Sequence, residues 1–265
     1  VLGLLGAQLP EELLAANPDN PRGFWESRAV VLTHEALLRE QSSFWHDILP
    51  IPDEWFAGPE ARRYEDLLVG NMQQDYGAAS LAVIKDPRMC RLMPLWRRVL
   101  DRAGMEPTVI LTLRDAIETA ASLQRRNGFP MEKGLLLWLA HMQAAESGTR
   151  GMRRVFVSYD ALLRDWRGVV NRIGARAGVQ FDVSACAAEI TEFISADLRH
   201  APPSGLELGH FGQVGTWVRT LTDEFRRAGP GADGDVDTGM LDRTYAEFAS
   251  LVEILRPIES FNRRA

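Results

Sequence analysis

The stretch PTVILTLRDAIETAAS, residues 107–122, decides how the rest of the chain is read. Thr108 to Leu113 is an unbroken run of β-branched and aliphatic residues, the composition of a strand buried on both faces. Arg114 ends the run, and Asp115 to Arg126 then carries helical spacing. A strand that feeds a helix in this way delivers an arginine and the first helical N–H groups to one place. The guanidinium can fork onto phosphate oxygens while the helix dipole adds partial positive charge. The stretch is therefore read as an anion site with Arg114 as a ligand, and Ser122 stands eight positions on. The competing reading pairs Arg114 with Asp115 or Glu118 and turns Ser122 to solvent.

Working outward, two further apolar runs have the same character. Leu81 to Ile84 stops at Lys85-Asp-Pro-Arg88, where Pro87 bars continuation of a strand. Arg154 to Ser158 is bounded by Tyr159 and Asp160. Helical patterns lie between and around these runs. Ser27 is placed to cap a helix over Arg28 to Glu40, and Arg62 to Gln74 and Glu132 to Ser147 are helical by pattern. Met89 to Ala103 is a helix closed by Gly104. Residues 41–60, rich in aromatic residues and proline, are expected to form a surface flap around Phe44, Trp45, Trp55 and Phe56 that shapes an acceptor pocket. From Val183 onward the chain reads as helices, including Val214 to Arg227 and Leu241 to Leu255.

Alternation of strand and helix predicts an α/β fold, a three-layer arrangement with a parallel sheet covered on both faces and a largely helical C-terminal part. In such folds the ligand crevice lies outside the carboxyl ends of the strands. Lys85, Arg114 and Tyr159 stand at those ends, two cations and a phenol, which suits a nucleotide with several phosphates. Asp86 and Asp115 sit beside the cations and leave a metal role open, but cations at these positions fit a metal-free anionic cofactor better.

Composition limits the alternatives. A chain of 265 residues, 46% hydrophobic, can bury a full core, and its net charge of −6 argues against a broad nucleic-acid footprint. Cys90 and Cys186 are isolated, so no disulfide framework or zinc site is expected and a reducing, cytoplasmic setting is the default. Apolar runs such as Leu135 to Ala140 fall short of the roughly 20 residues that span a bilayer. Among the 30 basic residues only Lys85 and Lys133 are lysine, which gives Lys85 weight. Val1 to Leu5 is apolar without a preceding charged region and reads as the end of a helix, not as a signal peptide.

Three segments carry a family resemblance. Ile84-Lys-Asp-Pro-Arg88, Leu113-Arg-Asp-Ala-Ile-Glu-Thr-Ala-Ala-Ser122 and Val157-Ser-Tyr-Asp-Ala-Leu162 resemble the core of sulfotransferases that use 3′-phosphoadenosine 5′-phosphosulfate, most closely the bacterial branch. Asn20-Pro-Arg-Gly-Phe-Trp-Glu26 and Asp197-Leu-Arg-His200 fit the same pattern. The resemblance covers about residues 1–200, read as a nucleotide-binding domain of P-loop type whose first strand and phosphate loop are expected upstream of Val1. Residues 201–265 are left as a helical extension packed on it. The resemblance implies that Arg114 and Ser122 hold the 3′-phosphate and that Tyr159 lies near the adenine. Arg88 and Arg199 would stand beside the cofactor.

It also implies chemistry. Lys85 resembles a lysine beside the bridging oxygen, where a cation neutralises charge that builds on the leaving phosphate. The acceptor hydroxyl must lose a proton, and Glu26, between aromatic residues that desolvate it, is the leading base, with His34 the alternative. Glu26 is also readable as a helix-start carboxylate, Lys85 as half of a surface pair with Asp86, and Tyr159 as packing. The expected product is 3′,5′-adenosine bisphosphate, and the acceptor a small molecule, carbohydrate or peptide. A P-loop kinase acting on a nucleotide or small molecule, and a non-catalytic nucleotide-binding module, are the rival readings.

Overall fold

Ser27 starts the first helix, α1 (Arg28–Glu40), as its residue type suggests: its hydroxyl accepts from the Val30 N–H at 3.2 Å and donates to Asp75 at 2.7 Å. One face of α1 buries Val30, Val31, His34, Leu37 and Leu38, the spacing of a stripe turned to a core. The computed structural model describes all residues except 18, 19, 21, 22, 195–204, 230–235 and 263–265, and only the backbone of 258–262. The chain divides into two units, Val1–Pro107 with Phe181–Phe193, and Thr108–Gln180 with Ile194–Ala265.

In the first unit α1 is followed by α2 (Asp53–Ala57), α3 (Pro59–Tyr76), a 3-10 turn (Pro87–Leu92) and α4 (Met93–Arg102). Glu65 of α3 receives Arg98 at 2.6 Å and Arg102 at 2.9 Å from α4. Residues 41–60 are a surface flap only in part: Phe44 is 45% exposed, but the segment is anchored in the first unit's core. Asp47, Ile48, Leu49, Ile51 and Phe56 are buried, and Arg91 donates to the carbonyls of Phe44 at 2.7 Å and Leu49 at 2.8 Å. Buried carbonyls require donors, and one arginine supplies them.

The second unit holds β1 (Thr108–Leu113), α5 (Ala116–Asn127), α6 (Met131–Gly148), β2 (Arg153–Ser158), α7 (Tyr159–Arg164) and α8 (Trp166–Ala177). After α9 (Ala187–Phe193), which belongs to the first unit, it continues with α10 (Gly212–Ala228) and α11 (Thr238–Asn262). β1 and β2 are parallel, paired from Thr108↔Arg153 to Leu113↔Ser158, so both strands end level. Helices α5 and α6 approach so closely that a Cβ on Gly134 would stand 2.7 Å from the Cα of Ala120. Phe225 of α10 stacks on Phe156 of β2, ring centres 5.1 Å apart. Glu146, fully buried on α6, is neutralised by Arg150 at 2.8 Å and Arg154 at 3.1 Å, the arrangement a buried carboxylate needs.

The expected three-layer parallel sheet of P-loop type is not there. The structure is 62% helical, and among the described residues there is one sheet, of two strands, β1 and β2. The apolar run Leu81 to Ile84 forms a single parallel bridge, Ala82 to Gln8, held by Gln8 N–H to the Leu81 carbonyl at 2.9 Å and Val83 N–H to the Gln8 carbonyl at 3.1 Å. Gly6, at φ +91°, turns the chain before Gln8, and Pro10 after it has no N–H to donate. Apolar composition makes a run suited to a strand, but only a neighbour that answers its backbone groups over several residues makes it one. Among the described residues, no helix is long and apolar enough to cross a membrane.

Candidate functional site

Each unit carries its own cluster of chemistry-bearing side chains. In the first, Pro87 opens the 3-10 turn and Asp86 caps it, its Oδ1 accepting from the Arg88 N–H at 2.7 Å. That turn sets Lys85 just outside the cap. Lys85 Nζ donates to Glu26 Oε1 at 2.6 Å and to the Phe24 carbonyl at 2.8 Å. Between these two acceptors Trp25 adopts φ +59°, a left-handed backbone that is strained for a tryptophan. The bend places the Phe24 carbonyl and the Glu26 carboxylate on one ammonium. An ammonium has three N–H donors and two are used; the Lys85 side chain is 50% exposed, whereas that of Glu26 is 4% exposed.

Burial pushes the Glu26 carboxyl above its ordinary pKa, against the Lys85 hydrogen bond and charge that pull it down. Asp86 moves the other way. Burial alone would raise it, but the hydrogen bond from His34 and the charge and backbone N–H of Arg88 outweigh that and hold it below the usual carboxylate range. Arg88 is clasped by three carboxylates, Glu35 at 2.6 Å, Asp86 at 3.1 Å and Glu26 at 3.7 Å. Its guanidinium is committed to holding this cluster together.

His34 is fully buried, with Nδ1 at 3.1 Å from Asp86 and Nε2 at 2.9 Å from Trp96 Nε1. Indole N–H only donates, so Nε2 must be the accepting nitrogen and Nδ1 carries the proton toward Asp86. Both ring nitrogens are thus engaged, and His34 supports Asp86 instead of meeting an acceptor hydroxyl. The structure brings Glu26, Lys85, Arg88 and His34 together, and adds Glu35 and Trp96, which the sequence did not single out. The residue type of Asp86, an N-cap followed by proline, was the one local sign of this cluster.

In the second unit the level ends of β1 and β2 release Arg114 and Tyr159 side by side, the guanidinium 5.7 Å from the centre of the Tyr159 ring. Asp115 caps α5, accepting from the Ile117 and Glu118 N–H groups at 2.9 and 3.0 Å. Glu118 approaches Arg114 Nε only to 3.7 Å, and that Nε is buried without a hydrogen-bond partner. A pocket opens here, lined from the strand ends by Arg114, Asp115, Glu118 and Tyr159, and from α10 by Thr222 and Arg226. An adjoining cleft of about 220 Å³ shares Asp115, Thr222 and Arg226 and adds Arg219.

Ser122 is half-buried farther along α5 and is not among the residues lining this pocket. Arg199 lies outside the described residues. Lys85, expected at the same sheet edge as Arg114, follows an isolated bridge in the first unit and is not at the end of a sheet strand. Arg219, Thr222 and Arg226, spaced by three and four along α10, were legible as one helical face but not as a site. No family model matches the chain, and no curated protein and no solved structure matches it.

Proposed function

We propose that the chain is a cytoplasmic sulfotransferase that moves a sulfuryl group from 3′-phosphoadenosine 5′-phosphosulfate to a hydroxyl or amine of a small-molecule, carbohydrate or peptide acceptor, without a metal. The observation that carries this reading is the pair of Glu26 and Lys85, a buried carboxylate of raised proton affinity held 2.6 Å from a half-exposed ammonium. A base must be poised to take the acceptor proton, and desolvation makes Glu26 a stronger base than a free carboxylate. The remaining N–H of Lys85 is a donor for an oxygen on which negative charge builds.

The acceptor oxygen forms the new bond to sulfur as the bond from sulfur to the bridging phosphate oxygen breaks. Glu26 takes the acceptor proton, and the electron pair of the broken bond stays on 3′,5′-adenosine bisphosphate beside Lys85. Asp86, Arg88 and His34 hold the pair in place. Within the second unit, taken by itself, Arg114 and the Tyr159 ring offer a donor and an aromatic face suited to a nucleotide phosphate.

The test is transfer of radiolabelled sulfuryl from the nucleotide to a panel of phenols, alcohols, amines, saccharides and peptides. Lys85→Met and Glu26→Gln should each lower kcat by about a hundredfold or more. Absence of transfer by the wild type to every acceptor class, or undiminished turnover in both variants, overturns the proposal.

A further inference from the structure

We infer that Thr222 and Arg226 of α10 are ligand-binding residues, which with Arg114 grip a phosphomonoester group of a nucleotide. The inference rests on the reading of the second unit as a nucleotide-phosphate site and concerns binding alone, which is tested without sulfuryl transfer.

Thr222 is the decisive residue. It is 7% exposed and its hydroxyl has no hydrogen-bond partner. A helical threonine ordinarily turns its hydroxyl back to the carbonyl four residues earlier. Thr216 does so onto Gly212 at 3.3 Å and Thr220 onto Thr216 at 3.1 Å, on the same helix. Thr222 makes no such bond. It lines the same pocket as Arg114, whose Nε is another of the four buried side-chain atoms without a partner among the described residues, the remaining two being Trp55 Nε1 and Thr108 Oγ1. A buried polar atom without a partner costs stability, and two of them on residues that line one pocket are a cost that a ligand can remove once those side chains turn toward it.

The chemistry of the donors selects that ligand. Arg114 Nε–H can only donate, so the ligand must offer an acceptor oxygen. Arg226, 51% exposed, stands 4.0 Å from Asp115 Oδ2, too far for a hydrogen bond, and is held loosely enough to turn onto a second oxygen. The other oxygen of Asp115 is occupied by the N–H groups of Ile117 and Glu118. Three donors, Arg114, Thr222 and Arg226, match the terminal oxygens of a phosphomonoester, and the Tyr159 ring beside them suits a nucleoside carrying it.

Calorimetry on the full chain with 3′,5′-adenosine bisphosphate tests this. Thr222→Val, equal in size but without a donor, should weaken binding about tenfold, and so should Arg226→Gln. Thr222→Ser keeps the hydroxyl and should bind as the wild type does. Without ligand Thr222→Val should melt higher than wild type, because the unpartnered hydroxyl is gone; a hydroxyl with a structural role would make it melt lower. Adenosine should bind wild type and Thr222→Val equally and weakly. The inference is overturned by equal affinity of wild type and Thr222→Val for the bisphosphate, by no binding to wild type, by Thr222→Ser failing as the valine variant does, or by adenosine binding as tightly as the bisphosphate.

Discussion

Asp86→Asn changes one atom and should cost the first unit about 3 kcal/mol, within the range seen when a buried ion pair loses one member. The reasoning starts from donor counting. Asp86 accepts from the Arg88 N–H, from the Arg88 guanidinium and from His34, while His34 accepts from Trp96. In asparagine, one oxygen becomes an NH₂ group. If that group faces His34, Nδ1 must become an acceptor, the ring proton moves to Nε2, and Nε2–H then confronts the Trp96 N–H. If it faces Arg88, it confronts two donors. Either way a buried donor is orphaned, at about 1–3 kcal/mol, and Arg88 loses part of its charge compensation besides. Removing the Trp96 donor should release the first of these conflicts. Asp86→Asn should therefore cost about 1–2 kcal/mol less in a Trp96→Phe background than in wild type. Urea unfolding of the four proteins at pH 7, followed by a probe of the first unit, measures this. Additive losses, or an Asp86→Asn cost below about 1 kcal/mol, would refute the chain of hydrogen bonds from Trp96 through His34 to Asp86.

Glu26 gives a prediction of opposite sign. Its folded pKa is raised, so the stability it contributes is fully present below the ordinary glutamate value of about 4.3 and is lost as pH rises through the folded value. Glu26→Gln should therefore gain stability relative to wild type as pH rises across that window, and urea midpoints that run parallel at every pH would contradict it. Asp86 behaves conversely, its contribution present above the ordinary aspartate value and lost as pH falls through the depressed folded one. In the second unit, Gly134→Ala should cost about 1–3 kcal/mol by forcing α5 and α6 apart at Ala120, read as a lower midpoint in urea; an unchanged midpoint would show that the helices separate freely.

Local signals survived folding where the physics is local. Thr108 to Leu113 became β1 and Ser27 became the cap of α1, because β-branched composition and a side-chain acceptor act within a few residues. Leu81 to Ile84 carried the same kind of composition and became one bridge, because among the described residues it pairs with Gln8 alone. Lys85 stood out as one of two lysines, yet its bond to Glu26 spans 59 positions. His34 was readable as a base until Asp86 and Trp96 occupied both its nitrogens. Thr222 carried no sign of a ligand role. What marks it is a missing hydrogen bond, and a missing bond exists only once the neighbours are in place.

By itself the sequence determined that Thr108 to Leu113 is a strand, that Ser27 caps a helix, and that Arg114 stands at a strand end before a helix. Tertiary structure alone decided how many strands share a sheet, which ions pair, and which buried donors stay unanswered. The division follows from range. Caps, turns and periodicity are written in residues a few positions apart, whereas strand pairing, ion pairing and desolvation depend on groups that only the folded chain brings within a few ångströms of one another.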